Sequence, residues 1–294
     1  MITAMLGRFS HHRHRRRRRA TGGPAAAGAP VALAVALSLL AAACASGDYE
    51  LEYVERPVGE LYNEAMDLMD GGYFRRAALA FEEVERQHPY SQWATQAQLM
   101  AAYAFYEANN YDEAIGAARR FIDLHPGHKD VPYAHYLIGV SYYERVSDVG
   151  RDQKMTAEAL RAFEELVRRF PGSPYARDAA LKIDLTRDHL AGKEMSVGRY
   201  YLTRSEYVAA INRFRNVVEG YQTTTHVPEA LHRLTEAYLT LGLVKEAQAS
   251  AAVLGSNFPG SDWYQDSYRL LTAQNLQPAP DERSWITRAV NRIF

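Results

Sequence analysis

Cysteine is almost absent from this chain. Cys44 is the only one among 294 residues, which excludes an internal disulfide framework and a cysteine-rich zinc site. Acidic residues are absent from 1–43, a segment that holds seven arginines: Arg8, Arg13 and Arg15 to Arg19. The remaining 27 basic residues face all 35 acidic ones, a net charge of −8 beneath an overall formal charge of −1. Such a body lacks the basic face that phosphate contact needs, so nucleic acid is not an expected partner. Strand signals are missing: no alternating β-branched runs are bounded by hairpin dipeptides. Catalytic signatures are missing as well. No Gly-x-Ser-x-Gly, P-loop or His-Glu-x-x-His occurs, so neither an enzyme nor a bound cofactor or metal is expected.

The leader is the first feature that is present. An arginine run such as His11 to Arg19 fits a nucleic-acid or nuclear-targeting patch, or the positive n-region of a secretory signal. The next twenty-odd residues favour the signal. Val31 to Leu40 is apolar, Ala41 to Ala43 are small, and the stretch is shorter than the roughly 20 residues that span a bilayer. Leu40-Ala41-Ala42-Ala43-Cys44 resembles a bacterial lipobox, in which the cysteine becomes the lipidated N-terminus. Ala41 stands where that pattern favours a bulky aliphatic residue; Leu40 is one place earlier. The resemblance implies an S-diacylglycerol and an N-acyl chain at Cys44. Each buried CH₂ contributes about 0.8 kcal/mol, and one chain holds only marginally, so three chains make a lasting anchor. Ala45 and Ser46 lack the aspartate that retains enterobacterial lipoproteins at the inner membrane, which points to the outer one. Residues 45–57 then read as a polar tether of at most about 45 Å.

The body repeats. Pro89, Pro126, Pro171, Gln222 and Pro259 align, and twelve residues before each stands an alanine: Ala77, Ala114, Ala159, Ala210 and Ala247. Five residues before come Val84, Phe121, Leu166, Val217 and Leu254; one before come His88, His125, Phe170, Tyr221 and Phe258. Alanine lets helices approach, larger residues fill the next layer, and proline stops the second helix. Small residues in the first helices match: Ala65, Ala102, Gly139, Gly198 and Thr235. This is the layout of the tetratricopeptide repeat (TPR), two antiparallel helices per unit. The predicted fold is all-α: a right-handed TPR-type solenoid of five helix pairs sharing one core, plus a short C-terminal amphipathic helix. The spacings of 37, 45, 51 and 37 put eight extra residues between the helices of unit three, around Glu144 to Met155. They add fourteen before the small position of unit four. Fourteen residues are about four helical turns, so a long helix or helix pair is predicted from Ser173 to about Arg204. The expected divisions are a signal at 1–43, a lipidated tether at 44–57, repeats at 58–274 with a hinge near 171–174, and a linker with a last helix at 275–294.

First helices line the groove of a TPR stack. One face carries Tyr62, Met66 and Met69 from unit one, then Leu99, Tyr103 and Tyr106 from unit two. Tyr133, Tyr136, Val140 and Tyr143 follow from unit three. Tyrosines give a large contact area at low entropy cost and keep a polar tip. The stripe fits core packing and it fits a peptide-binding groove. His125 and His128 flank Pro126 and read as turn residues. Glu82-Glu83 and Glu164-Glu165 read as solvated faces. In Ser284 to Phe294 an apolar stripe with flanking arginines suits docking on a partner, on a membrane surface or on the chain's own last repeat. The terminal Phe294 looks like the end of a barrel protein by coincidence.

A lipobox followed by five such units resembles the BamD family, the TPR lipoprotein subunit of the outer-membrane β-barrel assembly machinery. The resemblance spans Cys44 to about Leu271. It is most specific at His88 to Ile115, Arg120 to His128, Phe170 to Lys182 and Val197 to Phe214. It implies an outer-membrane lipoprotein on the periplasmic side. By that resemblance the C-terminal repeats grip a POTRA domain of BamA, with Arg213 as the contacting arginine. The N-terminal repeats receive the aromatic-ended signal of unfolded β-barrel proteins, in a pocket matching His88, Pro89, Tyr90, Ser91 and Trp93. Other assembly-complex lipoproteins are implied partners. Arg213→Glu is expected to detach BamA and leave the fold intact. Two further readings stay open from the residues alone: a generic TPR adaptor for cell-envelope or peptidoglycan partners, and an accessory to a cell-wall enzyme.

Overall fold

The computed structural model of the chain describes residues 55–290. Cys44, the leader, residues 45–54 of the tether and the last four residues lie outside that range. The described residues form twelve helices and no strand. They are α1 (Val58–Asp70), α2 (Phe74–Gln87), α3 (Gln92–Glu107), α4 (Tyr111–Leu124), α5 (Val131–Tyr143) and α6 (Lys154–Arg169). Next come α7 (Pro174–Thr203), α8 (Tyr207–Gly220), α9 (Val227–Thr240), α10 (Val244–Asn257), α11 (Asp262–Thr272) and α12 (Trp285–Val290).

The repeated alanines explain the pairing. Ala77, Ala114, Ala159, Ala210 and Ala247 expose no surface, and neither do Val84, Phe121, Leu166, Val217 and Leu254. The small residues of the first helices answer to rings on the second. A Cβ on Gly139 would lie 2.5 Å from the Phe163 ring, and one on Gly198 would lie 2.5 Å from Phe214. Each such buried phenylalanine contributes about 1.5–3 kcal/mol. Consecutive helices pack throughout α1 to α11, and α1 also touches α3, α3 touches α5, and α5 touches α7. The first helices thus form a continuous stack through α7.

Turns repeat as faithfully as cores. Four of the five pairs turn through one left-handed residue: Gly72, Asn109, Ser205 or Gly242. In each, the next amide reaches back to close a Schellman-type helix end, as Tyr73 N does to Leu68 O at 2.9 Å. The third pair uses the predicted longer loop, 144–153, instead. All five second helices end on one conformation. His88, His125, Phe170, Tyr221 and Phe258 have φ between −130° and −135° and ψ between 46° and 57°. Proline disfavours helical backbone in the residue before it. Yet Tyr221 precedes Gln222 and adopts the same angles, so the repeat's packing holds this turn even without proline.

The predicted long helix is a single one. α7 runs thirty residues, between Ser173 and Arg204 at its caps. It belongs to two apolar cores. Ala179 and Ile183 close the first, which begins at Leu61; Ala191 and Met195 open the second, which ends at Ile286. The change of core therefore falls inside α7, not at the 171–174 turn. Polar side chains mark the seam. Arg187 Nη2 donates to Glu164 Oε1 at 2.6 Å, and Asp188 Oδ1 accepts from Thr225 N at 3.1 Å and Thr225 Oγ1 at 2.9 Å.

Two helices follow the fifth pair. α11 packs on α9 and α10, and α12 on α8 and α10. Of the three resting places weighed for the C-terminal helix, its described part takes the chain's own repeats. Ile286 is fully buried. Trp285 Nε1 donates to the Tyr238 hydroxyl at 3.0 Å, Ser284 Oγ donates to Glu246 Oε2 at 2.6 Å, and Arg215 lies 4.4 Å above the Trp285 ring.

Candidate functional site

Helical spacing sets tyrosines on neighbouring first helices side by side. Tyr103 and Tyr106 are three apart on α3, and Tyr133 and Tyr136 three apart on α5. Ring centroids are 6.5 Å apart for Tyr103 and Tyr133, 5.2 Å for Tyr133 and Tyr175, and 5.4 Å for Tyr136 and Tyr175. Tyr106 meets Tyr111, at the start of α4, at 5.9 Å. Tyr136 Oη donates to Asp178 Oδ2 at 2.6 Å, and Lys182 Nζ sits 4.8 Å from the Tyr143 ring centre. The result is a ladder across α3, α5 and α7, partly buried and open along one side.

The hydroxyls of Tyr103, Tyr106, Tyr133 and Tyr136 are held protonated. Burial pushes the Tyr133 phenol well above the usual tyrosine range. Burial and then the Asp178 hydrogen bond do the same for Tyr136. Burial first, then the Glu107 carboxylate, raises Tyr103; for Tyr106 burial leads and Glu144 follows. Neutral phenols offer flat apolar rings, and those whose O–H is not already given, as that of Tyr136 is to Asp178, keep a donor at the tip, which suits an extended peptide.

A second set sits at the first repeat boundary. Tyr62 is only 7 % exposed. Its ring packs tilted against Trp93 at 4.7 Å and edge-on against Phe81 at 5.5 Å. It is therefore the support beneath Trp93, not an open groove wall. Trp93 itself is 44 % exposed, and Tyr90, in the α2–α3 turn beside Pro89, is fully exposed. His88 ends α2, and its Nε2 lies 2.6 Å from the carbonyl oxygen of Arg56. Arg56 N donates to Gln87 Oε1 at 2.9 Å. The segment entering α1 is thus pinned to this turn. Ser91 caps α3 by accepting from Ala94 N at 3.0 Å.

Part of the stripe is core. Leu99 and Val140 are buried with Tyr62, while Tyr103, Tyr106 and Tyr136 remain half-buried on the face. The packing and groove readings of the stripe thus apply to different residues of it. Tyr175 and Asp178 escaped the sequence count. They lie in the residues added before Gly198, outside the repeat alignment. Counted back from Gly198 at about 3.6 residues per turn, neither falls on the face that carries Tyr103 and Tyr136, so the repeat alignment held no signal for them.

Arg213, on α8, is half-exposed and engaged. Its Nη1 lies 3.3 Å from both Glu194 oxygens, and Asn216 Nδ2 donates to Glu194 Oε2 at 2.9 Å. Arg213→Glu would set a second carboxylate against Glu194, so it acts on the α7–α8 contact as well as on any partner. The acid pairs on second helices are not simply solvated either. Arg120 Nη2 reaches Glu82 at 3.1 Å and Arg187 reaches Glu164 at 2.6 Å, both between helices. His125 Nε2 meets Gln98 Oε1 at 2.9 Å at the end of α4, a turn role. Among the described residues no group of three His, Cys, Asp or Glu could hold a metal ion. No described helix is long and apolar enough to cross a membrane.

The family model of the outer membrane lipoprotein YfiO matches residues 54–271. The outer membrane protein assembly factor BamD of Caulobacter vibrioides is 53 % identical over 229 residues, covering 78 % of this chain and 75 % of that one. BamD of Rickettsia prowazekii is 47 % identical, covering 73 % and 86 %. BamD of Neisseria meningitidis is 38 % identical, covering 78 % and 85 %. The family match runs through every helix pair, and at these identities the chain belongs to the BamD family of outer-membrane lipoproteins.

Proposed function

We propose that this chain is an outer-membrane protein assembly factor. It is a non-enzymatic scaffold, held by lipid at Cys44 on the periplasmic face. The first three helix pairs receive segments of unfolded β-barrel proteins, and the last two, with Arg213, contact the POTRA region of BamA. Other lipoproteins of the assembly complex join it. The observation that carries the substrate part is the half-buried tyrosine ladder, continuous over three first helices.

No covalent step is needed. An extended segment loses conformational freedom on binding. Ring contacts and hydroxyl donors offset that loss. The acyl anchor and the BamA contact hold the bound segment near the insertion machine and raise its effective concentration.

The test begins with isolated outer membranes. A tagged copy is crosslinked and its partners are identified by mass spectrometry, with Cys44→Ala alongside. Recovery of a POTRA-bearing barrel protein, with membrane attachment lost in Cys44→Ala, is the expected result. Recovery of cell-wall partners alone overturns the reading. Arg213→Ala, which removes the guanidinium and adds no charge, is expected to lower BamA recovery. Unchanged recovery would remove Arg213 from that contact.

A further inference from the structure

The tyrosine face carries charge that the fold leaves unbalanced. Glu107 ends α3, one turn after Tyr103, and its carboxylate acts on the Tyr103 phenol. Glu144 caps the end of α5 and is exposed. Arg145, next to Glu144, pairs with Asp112, next to Tyr111, and Tyr106 meets Tyr111 at 5.9 Å, so the ends of α3 and α5 and the start of α4 converge at one end of the ladder; both carboxylates act electrostatically on Tyr106 and Tyr111 there. Arg75 lines one recess with Tyr111, Asp112, Glu113 and Arg145, and the other cations nearby are already taken. Arg145 Nη1 pairs with Asp112 at 2.6 Å, and Lys182 lies over Tyr143 and 3.8 Å from Asp178. Among the described residues neither Glu107 nor Glu144 forms an ion pair, whereas most other glutamates of the repeats do.

Two carboxylates close to Tyr106 and Tyr111 are complementary to one kind of side chain. A lysine or arginine stem lies along the rings, its charge faces the ring quadrupole, and its head reaches a carboxylate. An acidic side chain is repelled, and a neutral one gains only ring contact. We infer that the Tyr106–Tyr111 end of the groove, with Glu107 and Glu144, selects a basic side chain in the extended peptide. This rests on the proposed function of the groove and names the chemistry of its ligand. The occupant is a partly unfolded segment that carries a lysine or arginine within reach of an aromatic residue docked on the ladder.

The experiment uses the full chain in detergent and two acetylated, fluorescent ten-residue peptides. Both alternate apolar and polar residues and end in phenylalanine. They differ only at one polar position, lysine or glutamine. Anisotropy titration at low salt is expected to give about tenfold tighter binding of the lysine peptide, the combined scale of one cation–π contact and one exposed ion pair. The preference shrinks as salt is added. In Glu107→Gln/Glu144→Gln it falls to the cation–π part, about threefold, while the glutamine peptide binds as before. Glu282→Gln, in the exposed linker, keeps it. Equal affinities for the two peptides, or a preference undiminished in the double variant, overturn the inference and leave the groove standing. Failure of both peptides to bind overturns the groove and the inference together.

Discussion

Phe163 and Phe214 fill equivalent places in the third and fourth helix pairs, each against a glycine of the first helix. Around them the two halves differ. In the N-terminal half, the first helices leave tyrosines half-open along one face. In the C-terminal half, the second helices α8 and α10 are covered by α12, through Ile286 and Trp285. Between the halves the apolar cores stop, and α7 crosses a seam of charged and hydroxyl groups. One repeat thus yields an open face and a covered one. Residues outside the repeat consensus, Tyr175 on one side and Trp285 on the other, make the difference.

The strongest way to break the comparison is to empty the two cores separately. Phe163→Ala and Phe214→Ala should each cost about 3–5 kcal/mol. Hydrogen exchange should show the loss mainly in α1–α6 for the first and in α8–α11 for the second. Equal loosening of both halves by either variant would make them one cooperative unit.

Next comes the bridge itself. Leu185 is 59 % exposed in the middle of α7, so Leu185→Pro acts on the backbone more than on packing. It should cost about 3 kcal/mol by removing a helical hydrogen bond, and it should split thermal unfolding into two transitions. A single transition would show that packing across the seam, not the helix, couples the halves.

A smaller effect is expected from Trp285→Ala. It removes a hydrogen bond to Tyr238, the Arg215 contact and part of an apolar face, together about 1–3 kcal/mol of docking. Faster tryptic cleavage after Arg283 and Arg288 would register it, with the tyrosine face unchanged.

Acidification tests both halves at once. Burial holds the imidazoles of His135 and His232 below the ordinary value of 6.5. Arg169, on α6, adds to this for His135 and Arg233 for His232. Glu165 opposes it for His135; Glu229, Glu236 and Asp266 oppose it for His232. The folded state therefore prefers neutral rings. Above the ordinary value both states are neutral and nothing is lost. Below it the unfolded chain binds protons first, so stability falls with pH. Melting temperatures at about pH 7.5 and about pH 5.5 should drop less in His135→Gln and in His232→Gln than in the parent, relative to each variant's own value.

The smallest effect is Arg213→Ala on the fold. The Glu194 pair is 40 % exposed on the arginine side, so its loss should cost only about 0.2–1 kcal/mol. A larger loss would mean that the pair closes the α7–α8 contact and is no free docking group.

Much of this was legible in the residues. The alanine and proline offsets located every pair, the loop at 144–153 and the thirty residues of α7. The groove was half legible. Tyr103, Tyr106 and Tyr136 were named from helical spacing, but so was Tyr62, which supports Trp93 from below. Spacing gives the face of a helix; it does not give the depth of a side chain on that face, which depends on what the next helix brings over it.

By itself the sequence determined the repeat, because alanine, phenylalanine and proline act at short range, through close approach, ring volume and backbone restriction. Only the tertiary structure decided where the cores divide, which tyrosines stay open and where α12 rests. Each of these depends on residues far apart in the chain. Tyr175 reaches Tyr136, Trp285 reaches Tyr238, and Asp188 holds Thr225. No local pattern fixes such pairs before the helices have stacked.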